Sequence, residues 1–237
     1  MQKLVLDKIM KSIIYYTDNR PDEEILSKVQ ESIFKSGLPI ISCSLKPIDF
    51  GKNIVLDLEC GPVTMIKQIL TALEASEGEY IFFCEHDVLY DKSHFNFTPP
   101  DKEAFYYNTN VWRWDYEGDK VITYDSLRSL SGLCVFREKA LEHFKKRLAT
   151  IIERGFDKIP GKNPSWARKM GYEPGKKTGE KTDEWRSKYP NIDIRHKKTM
   201  TPIKMTIESF RHKPTGWKES TIDQLSGWDL KEMFNLR

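Results

Sequence analysis

The sequence predicts an α/β protein with a mixed, mainly parallel sheet flanked by helices. Three observations predict it: short apolar runs alternate with amphipathic helical segments over residues 12–90, each helix ends near a glycine, and polar side chains stand where the strands end. A strand, a helix and a second strand in close succession form a βαβ unit, whose two strands are parallel. The 237-residue length suits one domain with a substantial core.

The first half of the chain divides into regular elements. We expect strands at residues 12–19, 38–44 and 80–90, separated by helices at residues 21–35 and 62–77, with a loop at residues 49–53. Pro21 and the acids after it suit a helix start, and Gly37 suits its end. Strict alternation of this kind indicates an α/β sheet.

The second half is less regular. We expect short strands at 105–107 and 121–124 around the aromatic segment 111–114, a core strand at 131–136, a helix at 138–153, mobile loops over 155–179, a short helix at 182–186, a strand at 192–196 and then a polar tail. We therefore divide the single domain into residues 12–90, residues 91–200, which form a smaller subregion, and a C-terminal tail over 201–237.

Composition excludes few functions. The chain is 31% charged with a net charge of +3, which does not by itself indicate a nucleic-acid surface, although residues 139–188 are rich in Lys and Arg. Its four cysteines form no C-x-x-C pair, which favours free thiols in a reducing compartment. We find no signal-peptide pattern and no membrane-spanning run, so we expect a soluble, cytoplasmic protein.

The strand at residues 80–90 ends in Glu85-His86-Asp87. Buried carboxylates are costly unless a cation accompanies them, and open α/β sheets bind ligands beyond the carboxyl ends of their strands. Two carboxylates one residue apart suit Mg²⁺ or Mn²⁺ carrying a diphosphate. The alternative is a solvated turn after an ordinary strand.

Taken in order, these features resemble nucleotide-sugar glycosyltransferases of the GT-A fold. The resemblance covers about residues 12–200 and is carried by Tyr16-Thr17-Asp18, by Glu85-His86-Asp87 in the place of the family's D-x-D motif, by Ser131-Gly132, by Asp183-Glu184 and by His196. It implies a GT-A-like, Rossmann-like fold in which residues 12–90 bind the sugar donor and residues 91–200 the acceptor. It also implies metal-dependent transfer from a nucleoside-diphosphate sugar, with a UDP-sugar as first choice, to a hydroxyl group.

The resemblance assigns roles residue by residue. Asp87 is the main metal ligand and His196 a further one, with Glu85 as a possible ligand, direct or through water, and His212 as a rival to His196. The donor-binding residues are Thr17, Asp18, Arg20, Gly61, Thr64, Lys67, Glu85, His86, Ser131 and Gly132. Structural alternatives stay open: Asp18 as a helix cap, and Lys67 and His196 as surface residues.

An inverting transferase needs a general base, and Asp183 and Glu184 lie where the family carries one; Asp183 is equally suited to capping the predicted helix. The stereochemistry is left open. A glycan or a hydroxymethylated DNA base would both supply an acceptor hydroxyl. Exposed tryptophans, Trp112-Arg113-Trp114 above all, could stack on sugars or bases.

Two other functions compete with sugar transfer. One is a sugar nucleotidyltransferase, but the segment after strand one, residues 16–21, lacks the glycine-rich phosphate loop usual in those enzymes. The other is a non-catalytic nucleic-acid-binding module.

Overall fold

The computed structural model of the chain describes residues 10–159 and 165–236. The strands in these residues are β1 (Lys11–Thr17), β2 (Ile40–Ser44), β3 (Lys52–Val55), β4 (Tyr80–Glu85), β5 (Val88–Leu89), β6 (Phe105–Asn108), β7 (Val111–Asp115), β8 (Lys120–Thr123), β9 (Leu133–Phe136), β10 (Thr182–Trp185), β11 (Asn191–Arg195) and β12 (Lys218–Thr221). The α-helices are α1 (Glu23–Phe34), α2 (Pro62–Ala75), α3 (Arg137–Glu153), α4 (Ser165–Met170) and α5 (Leu230–Met233).

The larger sheet has seven strands in the order β10-β6-β9-β4-β1-β2-β3. Its centre is β1, which runs parallel to both β2 and β4, with Ile13 opposite Ile40 on one side and Phe82 on the other. Only β9 runs antiparallel to its neighbours. The predicted α/β architecture with a mixed, mainly parallel sheet is therefore confirmed.

Strand β1 is apolar on both sides because both faces of the sheet are covered. Ile14 and Tyr16 enter a core shared with α2 and α3, whereas Ile13 and Tyr15 enter a second core shared with α1 and the smaller sheet. A strand buried on both faces has no polar alternation, which explains the continuous apolar run in the sequence.

The smaller sheet has five strands in the order β12-β8-β7-β11-β5. Its pairs are antiparallel except for β7 and β11, which run parallel. Strand β5 comes directly after the turn that ends β4, so this turn joins the two sheets. The position of Glu85, His86 and Asp87 is thus constrained from both sides.

Four sequence expectations need correction. Residues 182–186 form no helix: Thr182–Trp185 is the edge strand β10, which pairs with β6. The predicted loop at 49–53 runs into strand β3, and the aromatic segment at 111–114 lies in strand β7. The expected polar tail supplies strand β12 and the buried side chain of Phe234, because the smaller sheet needs apolar cover.

The remaining expectations concern loops, cysteines and membrane spans. Residues 155–179 contain α4, and residues 160–164 of that predicted loop lie outside the described residues. All four cysteines are free thiols, with Cys60 exposed and the others buried. Among the helices of the described ranges, none combines the length and apolar character needed to cross a membrane.

Candidate active site

A cleft opens at the edge of the larger sheet where β1, β2 and β4 end. Besides apolar residues it is lined by Tyr16, Thr17, Asp18, Cys60, Gly61, Thr64, Gln68, Glu85, His86, Asp87, Arg113, Arg128, Ser129, Ser131, Tyr172, Glu173, Asp193, Arg195, Thr199 and Thr201. Ligand sites of open α/β sheets lie at this edge because the strand ends leave a crevice there. The cleft lies where the sequence analysis expects the donor site, beyond the carboxyl ends of these strands.

The two acids at the end of β4 are Glu85, which is partly buried, and Asp87, which is buried. Burial and the neighbouring Asp87 raise the pKa of Glu85 to about 8, although the Tyr16 hydroxyl donates to the Glu85 carboxylate over 2.7 Å. Burial also raises the pKa of Asp87, which is 7% exposed, despite the nearby His86 and Arg195. Both shifts mean that additional positive charge at this point would be stabilised.

Asp87 faces His196, whose Nε2 lies 3.8 Å from the Asp87 Oδ2 atom. His196 is 3% exposed, and neither of its ring nitrogens has a hydrogen-bond partner in the described part of the chain. The alternative in which His196 is a surface residue is therefore wrong. His212 is exposed and does not line the cleft, so the structure does not bring it to Asp87.

The segment after β1 forms a polar wall of the cleft. Asp18 accepts from Arg20 Nε over 2.7 Å and from the Arg20 backbone N–H, so Arg20 orients Asp18 without lining the cleft itself. Burial alone would raise the pKa of Asp18, but His86 and Arg20 outweigh it and lower that pKa. His86 Nδ1 also lies 2.9 Å from the Thr17 hydroxyl.

The first turns of α2 form another part of the cleft wall. Gly61 and Thr64 line the cleft as expected, and the Thr64 hydroxyl donates to the Glu59 carbonyl. Lys67 does not line it. Gln68, which the sequence analysis missed, is buried and donates to the carbonyls of Thr17 and Cys43 at the ends of β1 and β2.

Three further charged residues come from the smaller sheet. Asp193 on β11 accepts from Arg113 Nε on β7 and from Arg195 on β11, each over 3.1 Å. Burial alone would raise the pKa of Asp193, but the two guanidinium groups outweigh it and lower that pKa. With Arg128 they put three arginines on the cleft wall, and arginine suits phosphate recognition.

The Ser131-Gly132 pair divides between the cleft and the core. Ser131 lines the cleft, and its hydroxyl lies 2.7 Å from that of Ser129. Gly132 does not line it; an added Cβ there would lie 3.0 Å from the Asn108 carbonyl oxygen. The glycine thus allows a close backbone approach to β6.

The expected bases Asp183 and Glu184 do not line the cleft. Both are exposed on β10, and Glu184 is ion-paired to Arg128 at 2.6 Å, one side chain away from the cleft wall. Their assignment relied on the start of a helix, and the residues form an edge strand instead. The acid on this side that does line the cleft is Glu173.

The described side chains do not by themselves provide a full set of ligands for a metal ion. Over residues 10–159 and 165–236, no group of three or more His, Cys, Asp or Glu residues is arranged to hold a metal ion. Asp87 and His196 nevertheless fit as a pair of ligands, because two atoms that each bind one ion at about 2.1 Å can lie up to about 4.2 Å apart.

The sequence contained signals for some of the missed residues. Gln68 interrupts the apolar face of α2, and Asp193 and Arg195 are two apart in a strand and therefore share a face. The prediction that exposed rings of Trp112-Arg113-Trp114 stack on a ligand fails for Trp114. This residue is fully buried and donates to the Gly118 carbonyl, so it belongs to the core. Arg113 between the tryptophans is the member that reaches the cleft.

Comparison with known proteins gives structural neighbours only. No protein-family model matches the chain, and no curated protein matches it in sequence. A glycosyltransferase involved in the glycosylation of the major capsid of PBCV-1 is 13% identical, with a TM-score of 0.45 over 75% of this chain and 82% of that one.

Two other neighbours are enzymes of sugar or nucleotide transfer. A variant of Drosophila β1,4-galactosyltransferase 7, in complex with manganese, UDP-Gal and xylobiose, is 14% identical, with a TM-score of 0.36 over 62% of this chain and 63% of that one. The inositol-1-phosphate CTP transferase from T. maritima is 10% identical, with a TM-score of 0.41 over 97% and 96%. All three similarities have TM-scores below 0.5 and carry no argument about this chain.

Proposed function

We propose that this protein is a glycosyltransferase that binds a nucleoside-diphosphate sugar in the cleft and transfers the sugar to a hydroxyl acceptor. The observation that carries the proposal is the charge arrangement of the cleft, in which the raised-pKa acids Glu85 and Asp87 face Arg113, Arg128 and Arg195. A sugar nucleotide matches both signs, because its diphosphate is anionic and its sugar becomes cationic in the transition state.

The donor's nucleoside would lie along the wall made by Thr17, Asp18, Gly61 and Thr64. Asp18 keeps its negative charge because its pKa is lowered, so it can accept a hydrogen bond from a ribose hydroxyl or a base N–H. The free backbone N–H groups at the start of α2, a 14-residue helix, favour the diphosphate beside them.

A divalent ion, Mn²⁺ or Mg²⁺, would be held by Asp87 and His196, with the donor's phosphate oxygens as further ligands. When bound, such an ion neutralises the leaving diphosphate and the buried carboxylates together. Arg195 is fixed for the same task, because its guanidinium donates to Asp193 and to the Thr201 carbonyl and hydroxyl groups.

Glu173 is the acid best placed to receive the proton of the acceptor hydroxyl, if the reaction inverts configuration. It lines the cleft, its side chain is 17% exposed, and its carboxylate lies 3.7 Å from the Lys176 ammonium. For Asp183 or Glu184 to act as the base, β10 would have to approach the cleft. The acceptor is a hydroxyl of a glycan or of a hydroxymethylated DNA base.

A thermal-shift screen tests the proposal. We expect a UDP-, GDP- or CMP-sugar together with Mn²⁺ to raise the melting temperature, because a ligand bound only to the native state stabilises it by mass action. Asp87→Asn should remove this shift. The matched control Asp119→Asn changes an exposed carboxylate and should retain it. If no donor produced a shift with or without metal, sugar transfer would be excluded and a nucleic-acid-binding module would be favoured.

Nucleotide transfer to a sugar phosphate is the second candidate, and the three arginines favour it because a nucleoside triphosphate carries more phosphate charge. The segment between β1 and α1 contains no glycine, which counts against it. Release of pyrophosphate from UTP or CTP in the presence of a sugar 1-phosphate, without transfer from any nucleotide sugar, would establish it.

A further inference from the structure

Three partly exposed aromatic rings lie together beside the cleft. Tyr124, which follows β8, and Trp217, which precedes β12, have planes within 9° of parallel and centroids 6.1 Å apart. Phe210 stands nearly perpendicular to both, at centroid distances of 5.3 Å and 5.8 Å. We call these three side chains the aromatic rim.

The aromatic rim is connected to the cleft through Arg113. The guanidinium carbon of Arg113 lies 5.5 Å from the centre of the Tyr124 ring, while Nε of the same group is bonded to Asp193 in the cleft. The cleft-lining residues 199–201 also lead directly into the segment that carries Phe210. A chain molecule that lies on the rim can therefore reach into the cleft.

The segment beside the aromatic rim carries unbalanced positive charge. Residues 197–219 contain six Lys or Arg residues and two acids, Glu208 and Glu219. Glu219 accepts from Trp217 Nε1 and pairs with Lys120 on β8. Lys197 and Lys198 are paired with Glu117 and Asp22. The other four, which are Lys204, Arg211, Lys213 and Lys218, make no ion pair with another described residue. Lys204 instead lies over the Phe210 ring, 4.9 Å from its centre.

The basic region expected from the sequence, residues 139–188, differs from this segment. Lys139, Lys145 and Lys181 there are ion-paired to carboxylates. Lys145 and Lys146 lie on α3, which covers the other face of the larger sheet. Lys176 lies 3.7 Å from the Glu173 carboxylate on the cleft wall, so its charge is compensated as well. Among the described residues, the cations beside the aromatic rim that lack a carboxylate partner belong to residues 197–218.

We propose that the aromatic rim and its neighbouring cations bind a single-stranded nucleic acid and direct one of its nucleotides into the cleft. Aromatic rings stack on bases of any sequence, and cations beside them follow the phosphate backbone. A neutral glycan could use the rings, but Arg211, Lys213 and Lys218 would then have no role. The second half of this proposal, that a nucleotide enters the cleft, rests on the proposed function. It makes nucleic acid the class of acceptor. A base in a duplex would have to be flipped out to reach the cleft.

Fluorescence anisotropy with a labelled oligothymidylate of about 20 nucleotides tests the surface without any sugar donor. We expect binding that weakens steeply between about 50 and about 200 mM NaCl. Trp217→Ala and Phe210→Ala should each weaken it by at least about fivefold. Arg211→Gln and Lys213→Gln, both at exposed positions and so safe for folding, should each reduce the magnitude of the salt slope by about 0.7.

Lys146→Gln is the matched control, because it removes one exposed positive charge from α3, and it should leave affinity and slope unchanged. The proposal is overturned if Trp217→Ala and Phe210→Ala have no effect, if Lys146→Gln weakens binding as much as Lys213→Gln, or if a neutral maltooligosaccharide displaces the oligonucleotide. Asp87→Asn should retain oligonucleotide binding while it loses the donor-dependent thermal shift, so the two proposals can fail separately.

Discussion

At the scale of single residues, the cleft depends on charges that compensate one another. Asp193 and Arg195 are each 6% exposed and bond to each other, and Arg113 bonds to Asp193 from the neighbouring strand. A buried carboxylate between two guanidinium groups stays ionised, whereas Glu85 nearby has its pKa raised to about 8. Acids in one cleft thus differ in charge because their closest partners differ.

The pairing of Asp193 leads to a stability prediction. Asp193→Asn leaves two guanidinium groups in the cleft without their carboxylate, so we expect the free energy of unfolding to fall by about 3 kcal/mol in urea titration. Glu219→Gln makes the same chemical change in the exposed pair with Lys120 and should cost much less, because solvent screens an exposed pair. Equal losses in the two variants would contradict the compensating role of Asp193.

At the scale of elements, β10 shows that pairing with a neighbouring strand can override a local helix signal. Thr182-Asp183-Glu184 is typical of a helix start, because a Thr or Asp side chain can cap the first turn. In the fold, Thr182–Trp185 pairs in parallel with β6 instead, and Trp185 stacks on Phe97 with ring centres 4.3 Å apart. Strand pairing satisfies more backbone groups here than one helical turn would.

The residues that carry Glu173 are held by α3 through a buried arginine. Arg147, 2% exposed, donates from one terminal nitrogen to the carbonyl oxygens of Gly171 and Tyr172. Nearby, the Tyr107 hydroxyl donates to the Pro174 carbonyl over 2.8 Å. These bonds fix the cleft wall that we assign to the acceptor.

We predict that Arg147→Met loosens this wall. Two buried carbonyls lose the donor that Arg147 supplies, so the free energy of unfolding should fall by about 2 kcal/mol. Amide hydrogen exchange should accelerate at residues 171–175 more than in β1. Lys146→Met, at an exposed position of the same helix, should change neither quantity. Unchanged exchange in Arg147→Met would show that other contacts hold the segment.

At the scale of the whole molecule, His94 joins the two sheets. Its Nδ1 lies 3.0 Å from the side-chain nitrogen of Asn108 on β6 and 3.1 Å from that of Asn191 on β11. Since amide nitrogens only donate, Nδ1 must be the unprotonated acceptor of the ring. Burial lowers the pKa of His94 to about 3.

This histidine predicts a pH dependence of stability. Above a pH of about 6.5, His94 is neutral in both the native and the unfolded state. Below this pH the unfolded chain binds a proton at His94, whereas the native state does not, so the free energy of unfolding falls as pH falls. The loss should be about 2 kcal/mol between pH 6.5 and 5. Urea titrations should show a shallower decline for His94→Asn. His212→Asn, at an exposed position, should follow the parent protein; an equal decline in all three would contradict the assignment.

Local patterns were sufficient for much of the fold and part of the site. Residues 12–90 were predictable because each strand and helix there has its own periodicity and its own start and stop residues. Their order made β1, β2 and β4 parallel, and parallel strands bring their carboxyl ends to one edge. Thr17, Asp18, Glu85 and Asp87 could therefore be expected to meet before any contact was known.

What only the tertiary structure decided is the other half of the cleft. Arg113, Arg128 and the pair Asp193 and Arg195 come from three separate parts of the chain, and Arg113 becomes a neighbour of Asp193 only when β7 pairs with β11. The same holds for β10 and for the strand in the C-terminal segment, whose pairing partners are remote in sequence. Sequence periodicity reports which face of an element is apolar, whereas the choice of partner depends on long-range packing, and that choice placed the arginines opposite the acids.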